Sequence, residues 1–171
     1  MGTGKFSAHV SSSLDPETGK GFASMASRIC YRSLHRYKYQ LMEEYTYATG
    51  FSMEQTVRTG QDYIVLQQDG MLTLKKGYAW DGPSGPTVDT KNFMRASLVH
   101  DALYQLMRED LVGNGDGVRK QFREDADKLL RRMVRKDGMS WPRWVWVYQG
   151  LRLFGNAAAE KKTPPTNEYA P

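Results

Sequence analysis

The chain has 171 residues, a formal net charge of +5 and a hydrophobic content of 40%. This length and apolar content suit one folded domain with additional tails. The single cysteine, Cys30, excludes an intramolecular disulfide bond and a CxxC zinc knuckle, and it is typical of a protein made in a reducing cytosol. The N-terminus lacks the apolar segment of a secretory signal, and no apolar run is long enough to span a bilayer. The positive charge permits contact with nucleic acid but does not require it.

The N-terminal half predicts an arm followed by β-structure. Residues 1–20, rich in glycine and serine, predict a flexible arm. Residues 37–49 alternate aromatic and polar side chains with the period of a half-buried strand. Residues 61–75 hold two apolar runs around Asp69-Gly70, a dipeptide that favours a hairpin. We therefore expect a small antiparallel sheet in this half.

A loop rich in glycine and proline, residues 77–87, follows the predicted sheet. Its three glycines and two prolines predict fixed turns and a backbone that other parts of the protein can approach closely. Such a loop is better suited to holding one side chain, here Asp81, than to building a core.

The C-terminal half predicts three helices and a tail. Apolar side chains recur at steps of three and four over residues 91–109 and 118–136, with Asp137-Gly138 ending the second helix. A third helix is expected from Ser140 to Gly155, apolar on nearly all sides and rich in tryptophan, and residues 156–171 predict an extended tail. The second helix carries basic residues that we assign to a solvated face: Arg119, Lys120, Arg123, Lys128, Arg131, Arg132, Arg135 and Lys136.

Together these elements predict a single α+β domain over residues 21–155. In it, a small antiparallel sheet from the N-terminal half packs on three helices from the C-terminal half. The arm and the tail lie on either side.

Four side chains are candidates for a metal or acid/base site: Asp81, His100, Asp101 and Asp127. One imidazole with several carboxylates suits a divalent ion such as Zn²⁺, Mn²⁺ or Mg²⁺, in whose field a bound water becomes a nucleophile. The alternative is structural. A histidine on an inward helix stripe is often a hydrogen-bonded core residue, Asp81 can cap its own loop, and Asp127 can pair with an arginine.

These motifs resemble a bacteriophage and prophage family catalogued as domain of unknown function 1353. The resemblance rests on Trp80-Asp81-Gly82-Pro83-Ser84-Gly85-Pro86, His100-Asp101-Ala102-Leu103-Tyr104, Ala126-Asp127 and Leu151-Arg152-Leu153-Phe154-Gly155. It implies a phage origin, often among genes for virion assembly, tail or lysis, and no firm activity. It also directs attention to Ser84 and Tyr104, which join His100 and Asp101 as the predicted catalytic groups.

Two functions from different classes follow as hypotheses. The first is a virion component of the tail, baseplate or neck that binds other phage structural proteins through the N-terminal arm, the C-terminal tail and the tryptophan-rich helix. It would lie in the host cytoplasm during synthesis and in the virion afterwards. The second is a metal-dependent hydrolase, acting on the host cell wall, that uses the Asp81, His100, Asp101 and Asp127 cluster. Nucleic-acid binding through the basic helix is a weaker third hypothesis.

Overall fold

A computed structural model describes residues 28–34, 39–82, 91–112, 115–142 and 145. Within these residues the chain forms seven strands followed by two helices. The strands are β1 (Tyr31–Ser33), β2 (Tyr39–Leu41), β3 (Tyr45–Ala48), β4 (Val57–Arg58), β5 (Ile64–Leu66), β6 (Met71–Leu74) and β7 (Ala79–Trp80). The helices are α1 (Lys91–Arg108) and α2 (Asp116–Lys136). The predicted arm and tail lie outside the described residues.

The predicted architecture was wrong in two respects, although the described residues do form an α+β arrangement. They contain two helices rather than three, and most of the predicted third helix, residues 143–144 and 146–155, is not among them. They also contain two antiparallel sheets rather than one: a three-stranded sheet of order β1-β2-β7 and a four-stranded sheet of order β3-β6-β5-β4.

The second sheet arises because residues 37–49 do not form one strand. β2 ends at Leu41, the chain bends at Met42 and Glu43, and β3 begins at Tyr45 in the other sheet. Leu41 and Tyr45 are both buried, with 1% and 2% of their surface exposed. Because they are an even number of residues apart, the alternation continues across the bend and does not reveal it.

The chain passes between the two sheets twice, at neighbouring points. The second passage joins β6 to β7 and contains Gly77, whose φ is 97°. The Gly77 N–H donates to the Leu41 carbonyl at 2.8 Å, and the Leu41 N–H donates to the Tyr78 carbonyl at 2.8 Å. These bonds join the two passages and fix the direction in which β7 leads into Asp81.

The predicted hairpin around Asp69-Gly70 is confirmed. β5 and β6 pair antiparallel, and the Gly70 N–H donates to the Gln67 carbonyl at 3.0 Å to close the turn. Gly70 has a φ of 82°, and a Cβ there would lie 2.2 Å from the Phe51 carbonyl oxygen. Only glycine fits this position.

The two helices form an antiparallel pair. Three links between them show the direction: Arg95 contacts Asp137, His100 contacts Asp127, and the Arg119 guanidinium donates to the Met107 carbonyl. Residues later in α1 therefore contact residues earlier in α2. Side chains from the middle of α1 therefore face those from the middle of α2.

The predicted end of α2 is confirmed at Gly138. Its φ is 81°, its N–H donates to the Arg135 carbonyl, and the Met139 N–H donates to the Val134 carbonyl. This is a Schellman ending, which satisfies carbonyls that the helix itself leaves free.

One hydrophobic core joins both sheets to both helices. It includes Leu41 and Ile64 from the sheets, Leu103 from α1 and Phe122 from α2. The Phe51 and Phe122 rings meet edge to face with centroids 5.3 Å apart. Neither helix in the described part of the chain has the length and apolarity of a membrane span.

Candidate functional site

A polar cluster lies between the middles of α1 and α2. Nε2 of His100 lies 2.9 Å from Oδ1 of Asp127, and the Tyr104 hydroxyl donates to the same Oδ1 at 2.7 Å. His100 and Tyr104 are four residues apart on α1, so they share a face of the helix, and their ring centroids are 4.1 Å apart. Of the four side chains that the sequence suggested could converge, the structure brings His100 and Asp127 into contact across the two helices.

The cluster is almost entirely buried. Asp127 has none of its surface exposed, and 6% of the His100 side chain is exposed. Polar groups buried to this degree need hydrogen-bond partners, because an unpaired one costs about 1–3 kcal/mol. Oδ1 of Asp127 is the hydrogen-bond partner of both the His100 imidazole and the Tyr104 hydroxyl.

Asp101 lies on the other side of the His100 ring. Its Oδ1 is 3.9 Å from Nδ1 of His100, and 22% of its side chain is exposed. Burial by itself lowers the pKa of His100, but the interactions with Asp101 and Asp127 outweigh burial, so the pKa lies above its usual value. His100 therefore lies between a fully buried carboxylate and a second one that reaches solvent.

Burial is also the main reason that the pKa of Asp101 is raised. The charge of Asp81 adds to this increase, while His100 and Arg108 oppose it. Burial likewise raises the pKa of the Tyr78 hydroxyl above its usual range, and the charges of Asp101 and Asp81 raise it further. Asp81 is thus close enough to act on the cluster through its charge.

Asp81 is exposed and follows β7 directly. In the described part of the chain no hydrogen bond or ion pair joins it to His100, Asp101 or Asp127. The structure therefore brings His100, Tyr104 and Asp127 into contact, places Asp101 beside them, and leaves Asp81 as an outlying charge. Ser84 lies outside the described residues.

The end of β7 is attached to α1 by a contact that the sequence did not reveal. Nε1 of Trp80 donates to Oγ of Ser97 at 3.3 Å, and the Trp80 ring packs on Tyr39 with centroids 5.5 Å apart. Gly82 has a φ of 74°, and a Cβ there would lie 2.6 Å from the Tyr39 ring. These contacts hold the backbone on both sides of Asp81.

Arg123 was assigned wrongly to the solvated face of α2. It is 9% exposed, and its Nη1 is buried with no hydrogen-bond partner in the part of the chain that the structure describes. The spacing contained a signal that we did not use, because Arg123 precedes the inward Asp127 by four residues and therefore lies on the same face.

A metal ion was expected at Asp81, His100, Asp101 and Asp127. Among the described residues, no group of three or more His, Cys, Asp or Glu side chains converges so that it could hold a metal ion. The divalent ion stays a prediction from the sequence.

These elements define the protein as an α+β domain with a histidine–carboxylate pair buried between two antiparallel helices. A family model described as "Protein of unknown function (DUF1353)" matches residues 56–151, more than half of the chain, and the protein belongs to this family. The match contains every residue of the cluster. The family's description names neither an activity nor a phage, so the phage origin stays a prediction. No curated protein and no solved structure matches the chain.

Proposed function

We propose that the protein is a hydrolase in which His100 is the acid–base group and Asp127 orients it. The observation that carries this proposal is the 2.9 Å contact between His100 Nε2 and an oxygen of the fully buried Asp127 carboxylate. An ionised carboxylate only accepts hydrogen bonds, so it holds the neutral imidazole's proton on Nε2 and leaves the lone pair on Nδ1. A buried aspartate fixes the tautomer of the histidine in serine proteases by the same logic.

Nδ1 is the atom that would exchange a proton with the substrate. It is 3.9 Å from Asp101 Oδ1, beyond hydrogen-bond distance, so Asp101 does not occupy its lone pair. In the proposed reaction, Nδ1 takes a proton from a water molecule as the water oxygen bonds to the electrophilic atom of the substrate. The bond to the leaving group then breaks, its electron pair stays with that group, and the imidazolium returns the proton to it.

The other residues of the cluster support this cycle. Asp127 and Asp101 stabilise the imidazolium, in agreement with the raised pKa of His100. Tyr104 positions the Asp127 carboxylate by donating to the oxygen that also contacts His100. Asp81 contributes a negative charge at the surface, which raises the pKa of Asp101. Ser84 stays a predicted catalytic group.

Peptidoglycan is the substrate to test first, since the resemblance described above includes phage genes for lysis. The purified protein would be incubated with isolated sacculi, and the released fragments measured. The substitution His100→Gln keeps an N–H donor for Asp127 but has no basic nitrogen. We expect it to lower the rate by about 10²–10⁴-fold, the usual contribution of general acid–base catalysis.

A matched control is His35→Gln, because His35 lies outside the family match. It should hydrolyse sacculi at the wild-type rate. Loss of wild-type activity in EDTA would instead support the metal-dependent form of the hypothesis. A folded His100→Gln protein that works as fast as wild type would refute the role of His100, and a wild-type protein that releases nothing would refute this substrate.

A second candidate function is assembly into a phage virion, as a tail, baseplate or neck component. Trp141 favours it, because 69% of this large apolar side chain is exposed. Tryptophan is enriched among the residues that dominate protein interfaces. Residues 1–20 and 156–171, at the two ends of the chain, are the further segments expected to bind neighbouring proteins.

The test is incorporation into particles produced by a phage that carries the gene. Trp141→Ser, and separately deletion of residues 1–20 and 156–171, should leave a folded protein that fails to enter particles. The substitution Tyr63→Ser is a suitable control, since Tyr63 is the other exposed large hydrophobic residue of the described surface, at 38%. Normal incorporation of the Trp141→Ser and truncated proteins would exclude this function.

A further inference from the structure

Two buried polar atoms of α2 take no part in the hydrogen bonds described so far. In the described part of the chain, three buried side-chain polar atoms have no hydrogen-bond partner: the Tyr45 hydroxyl, Nη1 of Arg123 and Oδ2 of Asp127. The tyrosine lies on β3, whereas the other two atoms both belong to α2. One of these is a donor and the other an acceptor.

Their positions on α2 put the two side chains on the same side of the helix. Arg123 and Asp127 are four residues apart, so their Cβ atoms lie about 5–6 Å from each other on one face of the helix. Arg123 is 9% exposed and Asp127 is fully buried, so bulk water reaches neither atom. The arginine stem is long enough to bring its guanidinium over the carboxylate of the next turn.

The chemistry of the two atoms is complementary and incomplete. Oδ1 of Asp127 already accepts from His100 and Tyr104, so Oδ2 is the oxygen left for a further donor. Nη1 of Arg123 needs an acceptor. A buried donor and a buried acceptor that do not touch are commonly bridged by a single water molecule, which accepts from one and donates to the other.

We propose that α2 holds one buried water molecule between Nη1 of Arg123 and Oδ2 of Asp127. This water satisfies both atoms and completes the hydrogen bonds of the carboxylate whose other oxygen contacts His100. The ligand class is limited to water, because both atoms are sealed from solvent and a larger polar molecule would have to open the helix pair. The proposal concerns the bound water alone, so it does not depend on the hydrolase activity.

The experiment is a high-resolution crystal structure of the full chain, together with structures of two variants. In the wild type we expect density for one water within about 3.2 Å of both Nη1 and Oδ2. Arg123→Lys keeps a buried donor and should keep the water. Arg123→Met has a similar length without a donor and should lose it.

A solution measurement decides the question if Arg123→Met does not fold or crystallise. Magnetisation transfer from water to the Arg123 side-chain N–H groups should show a long-lived water in the wild-type protein. Arg119→Met serves as the matched control on the same helix, since Arg119 instead donates to the Met107 carbonyl and to Asp110, and its variant should retain the signal. A direct contact between Nη1 and Oδ2, or both atoms without a water in the density, would overturn the proposal.

Discussion

Two of the charged contacts between the helices α1 and α2 differ in kind. Near one end, Arg95 donates two hydrogen bonds to Asp137. One runs from Nε to Oδ2 at 3.0 Å and the other from Nη2 to Oδ1, so both carboxylate oxygens have a partner. In the middle, one oxygen of Asp127 is the partner of both His100 and Tyr104, and its other oxygen has no hydrogen-bond partner among the described residues. The side chains of Arg95 and Asp137 are 10% and 16% exposed, whereas Asp127 has no exposed surface.

This difference separates a structural contact from a chemically active one. A two-bonded arginine–carboxylate pair is fully satisfied and keeps its charges over the whole physiological pH range. A histidine–carboxylate pair can change its charge, and here the imidazole retains a nitrogen that its buried partner does not use. The same two helices thus have a fixed link at one end and a titratable one in the middle.

The largest loss of stability is expected from Asp127→Ala. It removes the acceptor of both His100 and Tyr104 and should lower the free energy of unfolding by about 3–5 kcal/mol, the usual cost of breaking a buried pair. Urea denaturation measures this loss. Asp116→Ala, an exposed acid in the first turn of the same helix, should cost less than about 1 kcal/mol. Equal losses in the two variants would mean that the central cluster is no more important than a surface charge.

Arg95→Met tests the fixed link. It removes two charge-assisted hydrogen bonds and should cost about 1.5–3 kcal/mol of unfolding free energy. A double-mutant cycle with Asp137→Asn isolates the pair, because the second substitution should add little once the first is present. Additive losses would show that Arg95 and Asp137 do not stabilise each other.

The cost of replacing a glycine can be compared between the two regions. Gly138 follows Asp137 with a φ of 81° and open space around it, whereas Gly82 follows Asp81 with a φ of 74° and lies against the Tyr39 ring. Gly138→Ala should cost about 1–2 kcal/mol for the left-handed conformation alone. Gly82→Ala should cost more, because the new methyl group also displaces Tyr39. A smaller loss at Gly82, measured by the same denaturation, would contradict the close packing there.

The smallest effect is a pH dependence that only the central link should show. Because the folded pKa of His100 is raised, its stabilising contribution is fully present below about pH 6.5, the usual value for an unfolded chain, and is lost as pH rises through the folded pKa. The raised pKa of Asp101 acts with the same sign at lower pH. Burial lowers the pKa of Arg95, but its interactions, first of all with Asp137, raise it above its usual value, so the guanidinium stays charged throughout.

Unfolding of the wild type and of His100→Gln should therefore be compared on both sides of neutral pH. The free energy of unfolding of the wild type should exceed that of His100→Gln most on the acid side, and this difference should shrink with rising pH. Arg95→Met should keep a constant deficit over the same interval. A wild-type advantage that grows with pH would reverse the sign that we assign to His100.

The sequence was enough to name His100 and Asp127 as candidate site residues, but it did not indicate the contacts around them. Helical periodicity places His100 on the inward stripe of α1 and Asp127 at the border of the apolar stripe of α2, from where it can face inward. The burial of Arg123 on the same face as Asp127 was not predicted. Arg123 was assigned to the solvated basic face of α2, and its position four residues before Asp127 was not considered. The loop after β7 was predicted to hold Asp81, and residues 83–87 of it lie outside the described residues. The hydrogen bond between Trp80 and Ser97 was not predicted, because it joins distant residues and no local pattern contains it.

The sheet arrangement could not be predicted for a different reason. The alternation in residues 37–49 continues with the same parity through the bend at Met42 and Glu43, so a change of sheet produces no change in pattern. Only the pairing of β2 with β7, and of β3 with β6, separates the two sheets, and both pairings join residues far apart in the chain.

The paired passages at Leu41 and Gly77 have a consequence for cooperativity. Since each passage supplies a hydrogen bond that closes the other, neither sheet can open at this corner without breaking the backbone bonds of both. Amide protons of the three-stranded and four-stranded sheets should then exchange with deuterium at a common rate, as one unfolding unit.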